Sequence, residues 1–202
     1  MSTPVAESLG QKIRVRPLEA GDSLAHLTTL LHRAYKQHSD RGIKALAAFQ
    51  PEEVTRRRVA AGECFVATYL GKVVGTILFK DAQHTRESGV GGAAPILWFQ
   101  REGVASFSQF AVEPELQGRG IGTVLMATAE ARALATGAAE LGLSTPEPAH
   151  WLVRMYERHG YRTVEHVQWK ETNYTSAIMS KAIMADVVIA TGGTLRTSGR
   201  PA

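Results

Sequence analysis

Cysteine is nearly absent from this chain of 202 residues, which contains only Cys64. A lone cysteine excludes an intrachain disulfide and any zinc site built from several cysteines. It also favours a reducing, cytoplasmic setting. Cys64 begins an apolar run, and a free cysteine in such a run usually packs as a small hydrophobic side chain. We predict a packing role for it.

Long apolar runs are missing as well. No stretch approaches the roughly 18 residues that a membrane-spanning helix requires. Residues 1–12 lack the basic segment followed by an apolar run that marks a secretory signal. We therefore expect no membrane association and a cytoplasmic location.

The excess of positive charge is small: the chain has 23 basic and 19 acidic residues, which gives a net charge of +4. A mildly basic surface suits an anionic partner such as a phosphorylated cofactor. It is too weak to indicate nucleic-acid binding as the main function, and no zinc-finger or RNA-binding signature accompanies it. The basic run Arg56-Arg57-Arg58 follows Glu52 and Glu53 by one helical turn and predicts a solvated helical face.

The composition is that of a soluble globular protein, with 44% hydrophobic and 21% charged residues. We predict one domain at residues 13–185, with a flexible N-terminal tail at 1–12 and a C-terminal tail at 186–202. Hydrophobic periodicity and turn residues predict the elements in this order: a strand at 13–18, helices starting near Asp22 or Ser23 and near Pro51, a hairpin of 64–70 and 72–79, a long loop at 81–103, a strand at 104–112, a helix at 121–136, a strand at 140–145, a helix at 148–159, and a hairpin of 161–169 and 174–183. This order of elements predicts a mixed sheet covered by helices on both faces.

A glycine-rich loop, Gln117-Gly118-Arg119-Gly120-Ile121-Gly122, follows the strand at 104–112 and precedes a helix. Alternate glycines allow positive φ angles, so the main-chain amides can turn inward and hold a phosphate beside the helix N-terminus. The loop is neither a Walker motif, which ends in Gly-Lys-Ser/Thr, nor a Rossmann motif, whose glycines are spaced differently. Glycines alone are also compatible with a turn that binds nothing.

The run Val112-x-Pro114-x-x-Gln117-Gly118-Arg119-Gly120-Ile121-Gly122 resembles the acetyl-CoA pyrophosphate loop of the GNAT superfamily of N-acetyltransferases. The run Met155-Tyr156-Glu157-Arg158-His159-Gly160-Tyr161 is similar to a second element of that family, and the resemblance covers residues 13–183. It implies an α/β (α+β) fold with a GNAT-like mixed, mostly antiparallel sheet of six or seven strands. A central splayed parallel pair and helices on both faces complete that fold.

The resemblance also implies the cofactor and the site residues. Acetyl-CoA would bind with its pyrophosphate on the amides of Gln117, Gly118, Arg119, Gly120, Ile121 and Gly122, with the Arg119 side chain nearby. Phe110, Ala111 and Val112 would pair with the pantetheine arm, and the strand is expected to bulge near Ala111 or Val112 and supply an oxyanion-binding amide. Many family members have an Asn where this chain has Ala149, so Ser144 or Thr145 would replace its contact. Tyr156 would be the general acid for the departing thiolate, and no metal is required.

The acceptor is expected to be an amine, on a small molecule or a peptide, that attacks the thioester directly in a ternary complex. Segments 35–50 and 84–100 are expected near the acceptor. Trp98 and Phe99 either form a wall of the acceptor pocket or dock on the core.

The catalytic base stays unassigned, since four side chains are eligible by chemistry alone: His32, His38, His150 and Glu87. A non-catalytic acyl-CoA sensor or carrier is the alternative function, and a homodimer stays open.

Overall fold

The computed structural model describes residues 13–88, 96–170 and 172–183. The predicted tails at 1–12 and 186–202 lie outside these ranges. The described strands are β1 Ile13–Pro17, β2 Glu63–Tyr69, β3 Lys72–Lys80, β4 Val104–Val112, β5 Glu140–Pro146, β6 Arg162–Gln168 and β7 Thr175–Ala182. The described α-helices are α1 Leu24–Ser39, α2 Glu52–Val59, α3 Ala82–Glu87, α4 Ile121–Ala135 and α5 His150–Arg158.

The seven strands form one sheet in the order β1-β2-β3-β4-β5-β7-β6. Neighbouring strands are antiparallel except for β4 and β5, which are parallel and occupy the middle of the sheet. This confirms the predicted mixed sheet with a central parallel pair. A helix, α4, connects the two parallel strands, as a crossover connection requires.

Helices cover both faces of the sheet, and alternate residues of β3 show which face each helix covers. Ile77 and Phe79 pack in a cluster that contains Leu125 of α4. Leu78, between them, packs against Leu27 of α1 on the other face. Cys64 is buried in that second cluster, which agrees with its predicted packing role.

The predicted loop at 81–103 contains more structure than its glycines suggested. Helix α3 occupies its first part, and the Asp81 carboxylate caps that helix by accepting a hydrogen bond of 2.8 Å from the amide of His84. A short 3-10 turn, Trp98–Gln100, occupies its last part. Residues 89–95 of this segment lie outside the described residues.

The prediction of a solvated face for the basic run was wrong for one of its three arginines. Arg56 pairs with Glu52 one turn earlier, and Arg57 is exposed. Arg58 is half-buried, because it lies one turn after Thr55, the fully buried residue of α2. No helix in the described ranges is long and apolar enough to cross a bilayer.

Candidate functional site

The two parallel strands separate partway along their length. β4 and β5 pair at only three positions, Val104 with Glu140, Ala105 with Leu141, and Ser106 with Gly142. Beyond these three pairs, β4 is hydrogen-bonded only to β3 and β5 only to β7. The sheet therefore opens between the carboxyl-terminal ends of β4 and β5.

A β-bulge distorts β4 beside this opening. Ser108 pairs with Leu78 of β3 and Ala111 pairs with Thr76, so two residues of β4, Gln109 and Phe110, face one residue of β3. Gln109 has a φ of 50°, which is unusual for a residue with a side chain. The bulge thus lies one to three residues earlier than the expected position near Ala111 or Val112.

Side-chain hydrogen bonds hold the bulge in place. Gln109 is buried, and its side-chain oxygen accepts a hydrogen bond of 2.8 Å from the amide nitrogen of Gln50. The same nitrogen of Gln50 also donates to the Thr55 hydroxyl on α2 at 2.8 Å. The strained backbone of β4 is therefore fixed by residues between α1 and α2.

The glycine-rich loop forms a tight turn at the end of β4. Gly118 and Gly120 have φ angles of 73° and 85°, and Gly120 is the N-cap of α4. No side chain caps this helix, so its first amides are free to bind an anion. Gln117 braces the turn by donating a hydrogen bond of 3.1 Å to the carbonyl of Val112.

A cleft of about 310 Å³ runs from this turn along the opening between β4 and β5. It contains eight of the predicted site residues: Phe110, Ala111, Val112, Gln117, Gly118, Gly122, Ser144 and Tyr156. The end of α1 forms one wall, with Tyr35 and His38, and the start of α5 forms another, with Trp151 and Leu152. Three predicted residues do not line it: Arg119 and Gly120 are exposed on the turn, and Ile121 is buried in the core.

Unpaired polar atoms concentrate in the wall of this cleft. Six buried side-chain nitrogen or oxygen atoms of the described residues have no hydrogen-bond partner. Four of the six belong to cleft residues: both ring nitrogens of His38, Nε1 of Trp151 and Oγ1 of Thr145. Buried polar groups are normally paired, so these four are suited to a ligand with polar groups along its length.

Tyr156 lies at the deep end of the cleft inside a group of aromatic rings. The ring centroids of Phe107, Phe110 and Tyr161 are 6.2, 6.4 and 6.0 Å from its own. It is 6% exposed, and burial, with a smaller effect of Tyr35, raises the pKa of its hydroxyl far above the usual value of tyrosine. The hydroxyl is therefore protonated at neutral pH.

The four side chains named as eligible bases lie in different places. His32 binds the carbonyl of Gln50 at 2.8 Å, His150 is exposed, and Glu87 accepts a hydrogen bond from Gln83. His38 is the one of the four that lines the cleft. Burial, assisted by the charge of Arg41, lowers the pKa of its imidazole, so the ring is neutral at neutral pH.

Of the two segments expected near an acceptor, 35–50 lines the cleft through Tyr35, Gln37 and His38, whereas none of the described residues of 84–100 lines it. The end of α1 and the residues after it are tied to the β6–β7 turn, because Asn173 donates to the carbonyl of Gly42 at 2.7 Å and accepts from the amide of Lys44 at 2.9 Å. On β5, a Cβ atom at Gly142 would lie 2.6 Å from the ring of Phe99. Phe99 therefore packs against β5, next to the point where the strands separate.

Three site features were not recognised in the sequence: the position of the bulge at Gln109, its partner Gln50, and the role of Trp151 in the cleft wall. Trp151 belongs to the apolar face of α5, a pattern that indicates a core residue. Its indole nitrogen, however, is buried without a hydrogen-bond partner among the described residues. No sequence pattern marks Gln109 or Gln50, which are 59 positions apart. Ala149, the N-cap of α5, provides no side-chain capping hydrogen bond, whereas Ser144 and Thr145 both line the cleft.

A mixed sheet that opens between two parallel strands, with a glycine turn at one end of the opening, defines an acyl-CoA-binding acyltransferase architecture. The family model described as the acetyltransferase (GNAT) family matches residues 25–161. The chain belongs to this family, is an acetyl-CoA-dependent acyltransferase, and has acetyl-CoA as its cosubstrate.

Individual relatives agree with this assignment. The chain is 28% identical over 137 residues to the S-(2-succino)cysteine N-acetyltransferase of Bacillus subtilis, covering 67% of this chain and 76% of that protein. Solved structures with the same fold include the ribosomal-protein-S18-alanine N-acetyltransferase of Escherichia coli, with a TM-score of 0.60, 18% identity and coverage of 88% of this chain and 98% of that one. Another is a GNAT acetyltransferase of Elizabethkingia anophelis with acetyl-CoA bound, with a TM-score of 0.57, 16% identity and coverage of 85% and 98%.

Proposed function

We propose that this protein transfers the acetyl group of acetyl-CoA to the amine of a small molecule by direct attack within a ternary complex. The observation that carries the proposal is the continuity of the cleft. One cleft joins the glycine turn after β4 to the hydroxyl end of Tyr156, so a single extended cofactor can reach both. The alternative, a non-catalytic acyl-CoA sensor or carrier, has no need of a protonated tyrosine at that end.

The residues of the cleft fit the parts of acetyl-CoA. The amides of the turn and the free N-terminus of α4 suit the pyrophosphate, with Gly118 and Gly120 supplying the left-handed backbone. The arm of the cofactor carries amide groups and would lie between β4 and β5. There Thr145, Trp151 and His38 offer polar atoms that have no partner in the described part of the chain.

Acetyl-CoA supplies an acetyl group that is already activated as a thioester. The protein must align the amine, stabilise developing negative charge and protonate the sulfur that leaves. Tyr156 lines the cleft and donates that proton from its hydroxyl, which is protonated at neutral pH. The bulge at Gln109 and Phe110 interrupts the pairing of β4 with β3. A main-chain amide released from the ladder there is proposed to stabilise the charge.

The acceptor is proposed to be an amino acid or a similar small amine. The relative from Bacillus subtilis is named for S-(2-succino)cysteine, an amino acid with a free amine. The end of α1 forms one wall of the cleft, whose volume of about 310 Å³ suits a small acceptor beside the cofactor arm. A peptide amine stays the second possibility for the acceptor class.

Replacing Tyr156 by phenylalanine tests the proposal. The aromatic packing persists, so we expect acetyl-CoA to bind with unchanged affinity in calorimetry. The rate of thiol release in the presence of an accepted amine should fall by about 100-fold, the lower end of general acid catalysis. Equal rates for the two proteins would remove Tyr156 from its role, and acetyl-CoA binding without transfer to any amine would favour the sensor.

A further inference from the structure

Two basic side chains are half-buried on the face of the sheet that carries α1. They are Arg58, in the last turn of α2, and Lys80, at the end of β3. Within the described residues neither lies within ion-pairing distance of a carboxylate, whereas Arg16, Arg33, Arg56, Arg132 and Arg162 each do. Their charges are thus partly removed from water without compensation from the described residues.

The fold places Lys80 beside β4. Lys80 pairs across the sheet with Ser106, the last residue at which β4 and β5 are joined. Its ammonium group donates to the Ser88 hydroxyl at 2.5 Å, and the Thr85 and Ser106 hydroxyls are 2.9 Å apart. Lys80 therefore lies where the opening between the parallel strands begins.

Helix α2 directs Arg58 toward the same region. Thr55, one turn earlier, is fully buried and hydrogen-bonded at 2.8 Å to Gln50, which in turn binds Gln109 in the bulge of β4. Residues three apart on a helix share a face, so Arg58 lies on the face of α2 that carries Thr55. Burial, and to a smaller extent the charge of Arg58, lower the pKa of Lys80. The charge of Arg58 also lowers the pKa of Tyr35 in the cleft wall, against the larger raising effect of burial.

The nearby acids are already engaged. Asp81, next to Lys80 in the chain, caps α3 and binds the His84 ring at 2.8 Å. Glu87 accepts a hydrogen bond from Gln83. Two half-buried cations close together disfavour each other and are costly to desolvate, so this corner would gain from binding an anion.

Along β4, an exposed residue lies between this corner and the residues that line the cleft. Ser108 is exposed although β4 is a central strand, and it lies two residues after Ser106 on the same face. Beyond Ser106 the two parallel strands no longer pair, so Ser108 lies on the side of the opening that faces Arg58 and Lys80. An acceptor that enters from this face passes both cations before it reaches the bulge.

We propose that Arg58 and Lys80 bind a carboxylate of the acceptor, so that the enzyme prefers amines that carry a negative charge. The inference rests on the proposed acetyl transfer and adds the chemical class of the acceptor. A planar guanidinium can hold a carboxylate with two parallel hydrogen bonds, and the ammonium of Lys80 adds a second donor. The amine of the same molecule is then free to face the thioester.

Paired acceptors that differ only in charge test this proposal. S-Carboxymethyl-L-cysteine and S-carbamoylmethyl-L-cysteine share the α-carboxylate and differ only in the side chain, which ends in a carboxylate or a carboxamide. The same comparison is made for other amino acids and their α-carboxamides, with thiol release from acetyl-CoA as the readout. We expect the wild-type protein to have a kcat/KM at least tenfold higher for the charged member of an accepted pair.

Substitutions at the two cations should remove this preference. Arg58→Gln and, independently, Lys80→Met should raise the KM of the carboxylate member of the pair about tenfold. The KM of its carboxamide partner should stay unchanged. Arg57→Gln is the matched control, because Arg57 is exposed on the same helix and should behave as wild type. Calorimetry with acetyl-CoA verifies that each variant keeps its cofactor site.

Equal kcat/KM values for the carboxylate and the carboxamide member of every pair in the wild-type protein would overturn the inference and leave the proposed acetyl transfer intact. So would a charge preference that survives both substitutions. Thiol release that no amine stimulates would instead overturn the proposed function, and this inference with it.

Discussion

Gly120 illustrates how single residues determine the cofactor turn. Its φ of 85° lies in the left-handed region, although a Cβ atom at this position would meet nothing within 4 Å. A substitution is therefore opposed by backbone strain and not by a clash. The sequence predicts this residue well, because the requirement for glycine comes from the local backbone conformation alone.

Gly120→Ala should consequently weaken cofactor binding. A side chain in the left-handed conformation costs about 1 kcal/mol, and relaxation of the turn to avoid it would misdirect the amides. We expect the Kd for acetyl-CoA to rise about fivefold, the equivalent of that energy. Gly21→Ala is the matched control, since nothing lies within 4 Å of a Cβ there and its φ is not in the left-handed region. Identical Kd values for both variants would contradict this account of the turn.

Gln109 shows what the sequence does not predict at this scale. Its left-handed backbone is maintained by Gln50, which is 59 positions away and reaches it only in the folded chain. Arg58 is a similar case, because its half-burial depends on how α2 packs, while its neighbours Arg56 and Arg57 behave as the charge pattern predicts. Long-range contacts of this kind leave no local pattern.

The elements were predictable where a periodic pattern was long enough. The seven strands and the four longer helices follow from alternation and helical spacing, and the structure contains all of them. Helix α3 was missed because it has six residues and precedes a glycine-rich stretch. Its one readable signal was Asp81, which caps it.

The turn between β1 and α1 carries a pH prediction. Arg16 donates two hydrogen bonds to Asp22, at 2.6 and 2.8 Å, and the Glu19 amide donates a third. The hydrogen bonding to Arg16, against a smaller opposing effect of burial, lowers the pKa of the Asp22 carboxyl group. The ionised Asp22 carboxylate therefore contributes to stability at neutral pH. This contribution is lost as the pH falls below about 4, the ordinary pKa of aspartate, and then through the lowered pKa of Asp22 in the folded protein.

Asp22→Asn should accordingly lower the free energy of unfolding by about 1 kcal/mol at pH 7 and by much less near pH 3. Urea denaturation at the two pH values measures the difference. Asp40→Asn serves as the control, because the Asp40 and Lys36 side chains are both largely exposed and such pairs contribute little. If Asp22→Asn lowered the free energy of unfolding as much at low pH as at pH 7, the ionised carboxylate of Asp22 would not be the stabilising group.

At the scale of the whole molecule, the sheet consists of two parts. One part contains β1 to β4 and the other contains β5 to β7, and three residue pairs between β4 and β5 join them. Acetyl-CoA in the cleft would contact both parts at the ends where they separate. Binding should therefore stabilise the opening as well as the turn that holds the pyrophosphate.

Hydrogen exchange of the backbone amides, with acetyl-CoA and with adenosine diphosphate, tests this arrangement most directly. Acetyl-CoA should slow exchange in the turn at 117–122 and also at 107–112 and 143–146, the ends of β4 and β5. Adenosine diphosphate, which lacks the pantetheine arm, should slow exchange in the turn alone. Unchanged exchange at the strand ends with acetyl-CoA, or slowing confined to another part of the chain, would contradict the account.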